Sequence, residues 1–175
     1  MNMIACIDKN YGIGYEGNLL FDIPEDKAFF KSETMRGVCI MGRNTLESLP
    51  GRKPLKNRVN IVISKTLPKD TDGIIVVRSV REAINKAKVY DKSIFMSQTY
   101  IIGGESIYKK FIKYVDCIYL TVVDAVKDSD RKFPKFLKKD GKWSKLSTLF
   151  EGRYEGIPYR CDVYHCQANM LNRKF

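Results

Sequence analysis

The stretch LLFDIPEDKAFFKSET, residues 19 to 34, carries an acid where a helix turns its apolar face inward. Pro24 has a backbone angle suited to a first helical turn, and Glu25 and Asp26 place negative charge at the positive end of the helix dipole. Phe29 and Phe30 follow Asp26 by three and four residues, so all three share one face. A carboxylate on that face points into the interior or into a cleft, although taken alone an acid in a first turn reads as a solvated end-of-helix charge. Three further groups are built for anions. MGRNT and IIGGES each read as strand, glycine, then helix start, offering backbone N–H groups together with Arg43, Asn44 and Thr45 in the first, and close backbone approach at Gly103 and Gly104 in the second. Ser64 and Lys65 end another strand, and Arg78 follows the next one.

Each of these anion groups is a weak signal alone, because glycine before a helix is often a tight connection. Two phosphate cradles plus a separate Ser/Lys/Arg cluster fit a dinucleotide with a third phosphate, an NADPH-like cofactor. GGES is not the G-x-G-x-x-G fingerprint, and no acid is placed for a ribose, so this is not an ordinary Rossmann domain.

The elements that position these residues alternate. MIACI is an apolar strand, and YGIGYEGN a glycine-punctuated loop. The helix opened by Pro24 is expected to run to about Arg36, with Gly37 ending it. VCIMG is a buried strand leading into RNTLESL, a short helix closed by Pro50 and Gly51. RVNIVIS and GIIVV are β-branched strands, and SVREAINKAKV an amphipathic helix with a Ser79/Glu82 capping box. TYIIGGESIYKKFIKYVDCIYLTVVDA reads as a βαβ unit, and WSKLSTLFEGRYEGIPYRCDVYHC as a hairpin. The pattern predicts an α/β fold, a mostly parallel sheet covered on both faces with an antiparallel edge, over a single domain at 1–166 and a polar tail at 167–175. Ligands bind such sheets at the carboxyl ends of the strands.

The chain has 175 residues, 44% hydrophobic and 29% charged, enough for one core without staples. No apolar run reaches the roughly 20 residues of a membrane span, and the start shows no secretory signal pattern. Five cysteines without C-x-x-C spacing suggest free thiols in a reducing, cytoplasmic setting. A single histidine argues against structural zinc. The net charge of +11 fits either a nucleic-acid patch or a cleft for a small polyanion. The lysines are dispersed except in RKFPKFLKKDGKWSK, so most of the charge reads as a solvated surface, with no nucleic acid, membrane or metal partner expected and a monomer the simplest state.

IGYEGNLLFDIPEDKAFFKSET, CIMGRNTLESLPGRKPLKNR, VNIVIS, YIIGGESIYKKF and IYLTVVDA occur in the order and spacing of dihydrofolate reductase, and from Met3 to Cys166 the chain resembles that family. The resemblance implies a doubly wound, mainly parallel eight-stranded sheet and hydride transfer from NADPH to 7,8-dihydrofolate, a reaction serving one-carbon metabolism. It implies that Asp26 holds the pterin, supported by Thr121. Phe30, with Ile4, Ala5, Leu49 and Ile102, would line the slot, and Arg58 would pair with the substrate's glutamate carboxylate. Cys6, Ile13 and Asn18 would border the nicotinamide. Arg43, Asn44, Thr45, Ser64, Lys65 and Arg78 would take adenosine phosphates. Gly103, Gly104, Glu105, Ser106, Ile107 and Tyr108 would hold the pyrophosphate and nicotinamide region, with a cis Gly103–Gly104 bond. Antifolate inhibitors would compete at Asp26.

The chain departs from the family's pattern at three places. Phe21 stands where tryptophan is usual, Leu20 replaces a proline, and Glu105 follows the glycines where a small residue is common. Two rival readings share the fold: a pyrimidine-dione reductase of riboflavin synthesis, and a non-catalytic reductase-like binding module. The first lacks the P-E-D acid before phenylalanine and the Arg58 arginine. The second has no need of a complete polar site.

Overall fold

In the computed structural model, residues 1–69, 71–93, 98–137 and 141–167 are described, the side chains of 91–93 excepted. The elements follow hydrophobic pattern closely. Strands β1 (Asn2–Ile7), β4 (Val38–Gly42), β5 (Val59–Ile63), β6 (Ile75–Val77), β7 (Thr99–Gly103), β8 (Cys117–Val123), β10 (Trp143–Tyr154) and β11 (Ile157–Cys166) form one eight-stranded sheet. Its order is β10-β11-β8-β1-β7-β4-β5-β6, parallel throughout except for the antiparallel β8–β11–β10 edge. Helices α1 (Pro24–Thr34), α2 (Arg43–Ser48), α3 (Val80–Ser93) and α4 (Glu105–Phe111) connect the strands.

Side-chain alternation sends the sheet's residues into two layers. Met3, Ile7, Ile40, Ile101 and Leu120 pack with Ala83, Ala87, Ile107 and Phe111 of α3 and α4. Ile4, Cys39, Met41, Tyr100 and Ile102 pack on the other side with Phe29 and Phe30 of α1. The central strands are buried on both faces, which is why they read as continuous apolar runs.

The structure corrects the sequence reading in several places. YGIGYEGN is not a plain loop: β2 (Gly12–Tyr15) and β3 (Asn18–Leu19) pair with β9 (Arg131–Lys132) in a small antiparallel sheet. Helix α1 ends at Thr34 rather than near Arg36. The left-handed residue after it is Arg36, not Gly37, and Gly37 is needed for closeness, since a Cβ there would stand 2.7 Å from the Gln98 carbonyl oxygen. The capping box at α3 forms with Ser79 Oγ accepting from Glu82 N, while the Glu82 carboxylate reaches Arg78 N. In the basic stretch, Phe133 and Phe136 are buried, and Phe136 meets Trp143 and Tyr164 edge-on. The aromatics beside those lysines belong to the core and offer no stacking platform for bases. Of the 167–175 tail, residues 168–175 lie outside the described residues.

The antiparallel edge is tied by Asp162, a fully buried carboxylate. It accepts from Thr148 at 2.8 Å and faces Lys145 Nζ at 2.7 Å and Arg160 Nε at 2.9 Å. Burial alone would push this carboxyl up, but Lys145, Arg160 and Thr148 outweigh it and hold it below the usual carboxylate value. A depressed folded-state pKa contributes stability above the unfolded value, lost as pH falls through the folded one. Asp162→Asn is therefore expected to cost about 1.5–3 kcal/mol at pH 7. The gap in melting temperature between the two proteins should close as acid protonates the native carboxyl. A gap that widens in acid would contradict this.

Candidate active site

Asp26 owes its position to α1, whose first turn lies over the C-terminal halves of β1 and β8. The sheet presents a row of side chains there: register pairs Cys6 with Thr121, Thr121 with Cys161, and Cys161 with Phe150, so four adjacent strands contribute one residue each. Thr121, almost fully buried, donates its hydroxyl to Asp26 Oδ1 at 2.5 Å. Burial raises the Asp26 carboxyl above its ordinary pKa, and the Thr121 hydrogen bond moderates that rise. The neighbouring Glu25 carboxylate accepts from Tyr159 at 2.5 Å, pinning the helix start to β11. The thiols beside the acid are pushed up by burial, Cys161 to about 12, so they line the row as small neutral groups.

The apolar residues expected to line a substrate slot lie on the α1 side of the sheet. Ile4, Ile102, Phe30 and Leu49 belong to one apolar cluster on the α1 side of the sheet. Ala5 points the other way, packing with Ile13 in the cluster beneath α4, because neighbours on a strand face opposite sides. At the C-terminal end of α1, Arg58 donates through Nε to Thr34 Oγ1 at 2.9 Å, and through its two terminal nitrogens to the Lys56 and Lys31 carbonyls at 3.1 and 3.2 Å. Thr34 in turn donates to the Phe30 carbonyl, which ties the arginine to α1. Three of the five guanidinium N–H groups are engaged by described residues, leaving two for a ligand. The guanidinium borders an open groove of about 630 Å³ with Met35, Arg36, Asn57 and Val59.

The two glycine cradles meet because β4 and β7 are neighbours. A Cβ on Gly104 would lie 3.4 Å from Thr45 Oγ1, and one on Gly42 would lie 3.1 Å from Ile107. The Gly103–Gly104 bond is cis, and neither Gly42 nor Gly104 caps its helix with a side chain, so backbone N–H groups at both helix starts remain for a ligand. Ser106 is exposed at this rim, whereas Ile107 and Tyr108 are buried beneath it. Tyr108 donates to the Ile4 carbonyl at 2.8 Å, and its ring would meet a Cβ on Gly103 at 3.1 Å. Those two residues brace the cradle from below.

Glu105 does not present a bare charge to the cradle. Its carboxylate pairs with Lys109 and accepts from Lys132 N at 3.0 Å, and these partners hold it below the usual carboxylate value. Arg43 reaches Glu47 at 2.6 Å and Thr66 at 2.7 Å, joining α2 to the loop after β5. Lys65 and Arg78 are exposed there. Ser64 is buried, its hydroxyl accepting from Thr66 N and Leu67 N and its carbonyl from Arg78 at 2.5 Å. Accepting these two bonds fixes the loop and does not use the hydroxyl's own hydrogen. Asn18 is exposed in β3.

Residue chemistry alone missed Asp8 and Lys127. Asp8, fully buried at the end of β1, accepts from Asn10 N at 2.8 Å, Gly12 N at 2.6 Å and Lys127 N at 3.1 Å. The only sequence cue was an acid closing an apolar strand before a glycine-bearing loop, a common turn pattern.

A mainly parallel sheet with an antiparallel edge, an acid over its strand ends and two apposed glycine cradles define the class: an α/β nucleotide-dependent enzyme outside the ordinary Rossmann group. The family model for dihydrofolate reductase matches residues 1–167. A dihydrofolate reductase of Buchnera aphidicola from Acyrthosiphon pisum is 40% identical over 173 residues, covering 99% of both chains. The type 9 dihydrofolate reductase of Escherichia coli is 37% identical over 156 residues, 87% of each chain. A dihydrofolate reductase of Schistosoma mansoni is 36% identical, covering 85% of this chain and 83% of its own. The chain belongs to the dihydrofolate reductase family. It is an oxidoreductase, and the family works with a nicotinamide cofactor. Among the described residues no helix is long and apolar enough to cross a membrane, and no cluster of metal-ligating side chains occurs.

Proposed function

We propose that this protein reduces 7,8-dihydrofolate to 5,6,7,8-tetrahydrofolate with NADPH. The observation that carries the reading is the Thr121–Asp26 hydrogen bond near the start of α1, with Arg58 tied to the same helix's C-terminal end, which we take as the two ends of the substrate slot. Bound NADPH supplies the hydride. Asp26 holds the pterin's amino group and adjacent ring nitrogen, and burial raises its carboxyl above the ordinary value, which suits it to helping a proton reach the ring. Thr121 orients the carboxylate. Phe30, Ile4, Leu49 and Ile102 exclude water around the flat heterocycle, while Arg58 pairs with the glutamate tail, through a fork suited to a carboxylate. Arg43, Asn44, Thr45, Lys65 and Arg78 take the adenosine phosphates, and Gly103 to Ser106 the pyrophosphate. Cys6 and Asn18 border the nicotinamide.

The direct assay is NADPH oxidation followed by absorbance, with and without dihydrofolate. Oxidation that requires dihydrofolate supports the reading; none in its presence rejects it. The same assay tests cofactor choice. With Arg43, Lys65 and Arg78 all exposed around one loop, NADPH should be preferred over NADH, and the preference should shrink as salt screens these charges. Equal efficiency with both cofactors at low salt would count against that cluster.

A further inference from the structure

Leu20 and Phe21 lie between β3 and α1, outside any helix or strand, and both are buried. They pack with Ile23, Val123 and Tyr159, and Cys6 of the Asp26 row packs against the same cluster. Apolar packing is not directional, so a segment without ladder hydrogen bonds needs another restraint to hold one backbone position. Lys127, 107 residues away in sequence, supplies it. Its ammonium donates to the Leu20 carbonyl at 2.9 Å and lies 4.5 Å from the centre of the Phe21 ring. The two contacts use different parts of one charge: a directional hydrogen bond fixes the backbone, and the cation over the ring fixes the side chain. The base of Lys127 is itself anchored, because its backbone N–H donates to buried Asp8. Asp8 also holds Gly12, where a Cβ would come within 2.8 Å of Leu20 and 2.7 Å of Ser129. Strand β1, the small sheet and the Leu20–Phe21 segment thus meet at Lys127.

We propose that Lys127 is a positioning residue for hydride transfer, a cationic clamp that holds the Leu20–Phe21 wall beside Asp26 and Cys6. The inference rests on the reductase reading above. The clamp acts through the side chain alone, so removing it leaves the Asp8 bond to the Lys127 backbone in place. Lys127→Met keeps the apolar stem and removes the charge; Lys127→Arg keeps a cation and a donor.

The test is single-turnover hydride transfer, with NADPH-loaded full-length enzyme mixed rapidly with dihydrofolate, alongside steady-state KM and melting temperature. Lys127→Met should slow the hydride step about 10-fold, as misplacement remote from the reacting atoms does, with little change in KM for dihydrofolate. Lys127→Arg should recover most of that loss. In a Phe21→Leu background, Lys127→Met should slow the step less, because the ring contact is already gone. Equal hydride rates in wild type and Lys127→Met would overturn the proposal. So would equal losses in the Met and Arg variants accompanied by the same drop in melting temperature, which would make the lysine merely structural. Wild-type enzyme that fails to oxidise NADPH with dihydrofolate would instead reject the reductase reading, independently of Lys127.

Discussion

Asp26→Asn should lower the rate of dihydrofolate reduction at pH 7 by roughly 10²–10⁴-fold, the range for losing a positioned acid or base. Asparagine keeps the shape and still accepts from Thr121, but it cannot ionise. The loss should shrink in acid, where dihydrofolate arrives already protonated and needs less help from the protein. Stability should move the other way. Burial raises the native Asp26 carboxyl above its unfolded value, so its charged form opposes folding at neutral pH. Asp26→Asn removes that penalty and should melt at least as high as wild type at pH 7. The advantage should disappear below the unfolded carboxyl value of about 3.9, where both native and unfolded acids are neutral. NADPH affinity should be nearly intact. Full activity of the variant at pH 7 would remove Asp26 from the mechanism, and a large drop in melting temperature would make it a structural acid.

Arg58→Lys should weaken dihydrofolate binding by about 1.5–3 kcal/mol, the range for a hydrogen bond to a charged group, or roughly 10- to 150-fold. Lysine retains the charge but not the planar fork, and it cannot at once reach Thr34, the Lys31 carbonyl and a carboxylate. Turnover at saturating dihydrofolate should change far less than KM, because the arginine sits at the end of the slot away from Asp26. A thermal melt separates this from loss of the Thr34 tie, which would destabilise the free protein as well. Unchanged substrate affinity would sink the assignment.

Much of this architecture is legible in the chain. Pro24 opens α1, Ser79 and Glu82 open α3, and the apolar runs mark the central strands, because those signals are local. Asp26 could be singled out since Phe29 and Phe30 fall at helical spacing from it. The strand order is not local. That β1 lies between β7 and β8 depends on crossovers of many residues, and no short window of sequence encodes them. The small sheet escaped notice because β2 and β3 are short, glycine-rich and partnered by Arg131–Lys132, far along the chain. Ser64 reads as a phosphate ligand because it ends a strand beside Lys65; only the turn geometry reveals that its hydroxyl also accepts from Thr66 N and Leu67 N and so shapes the loop. Ala5 was grouped with Ile4 although alternation along β1 already sends the two side chains to opposite layers. Lys127 was hidden by its composition context. One lysine among many in a strongly basic chain carries no mark, and its role rests on contacts spanning 107 and 119 residues.

The exposed charge has a plainer meaning than nucleic-acid binding. Arg43, Lys65 and Arg78 are exposed around the loop after β5 and Arg36 borders the Arg58 groove, while Phe133 and Phe136 of the basic stretch are buried in the core. A field of this sign steers small anionic ligands toward the strand ends, and it weakens with ionic strength. Both ligands of the proposed reaction are anions.

Hydride transfer itself is the central claim, and isotope labelling tests it most directly. NADPH carrying deuterium at the transferring position of the nicotinamide is incubated with the protein and dihydrofolate, and the folate product is weighed by mass spectrometry. Tetrahydrofolate heavier by one deuterium, formed much more slowly by Asp26→Asn at pH 7, is the predicted result. Tetrahydrofolate without the label, or no reduced folate from active, folded protein, would contradict it.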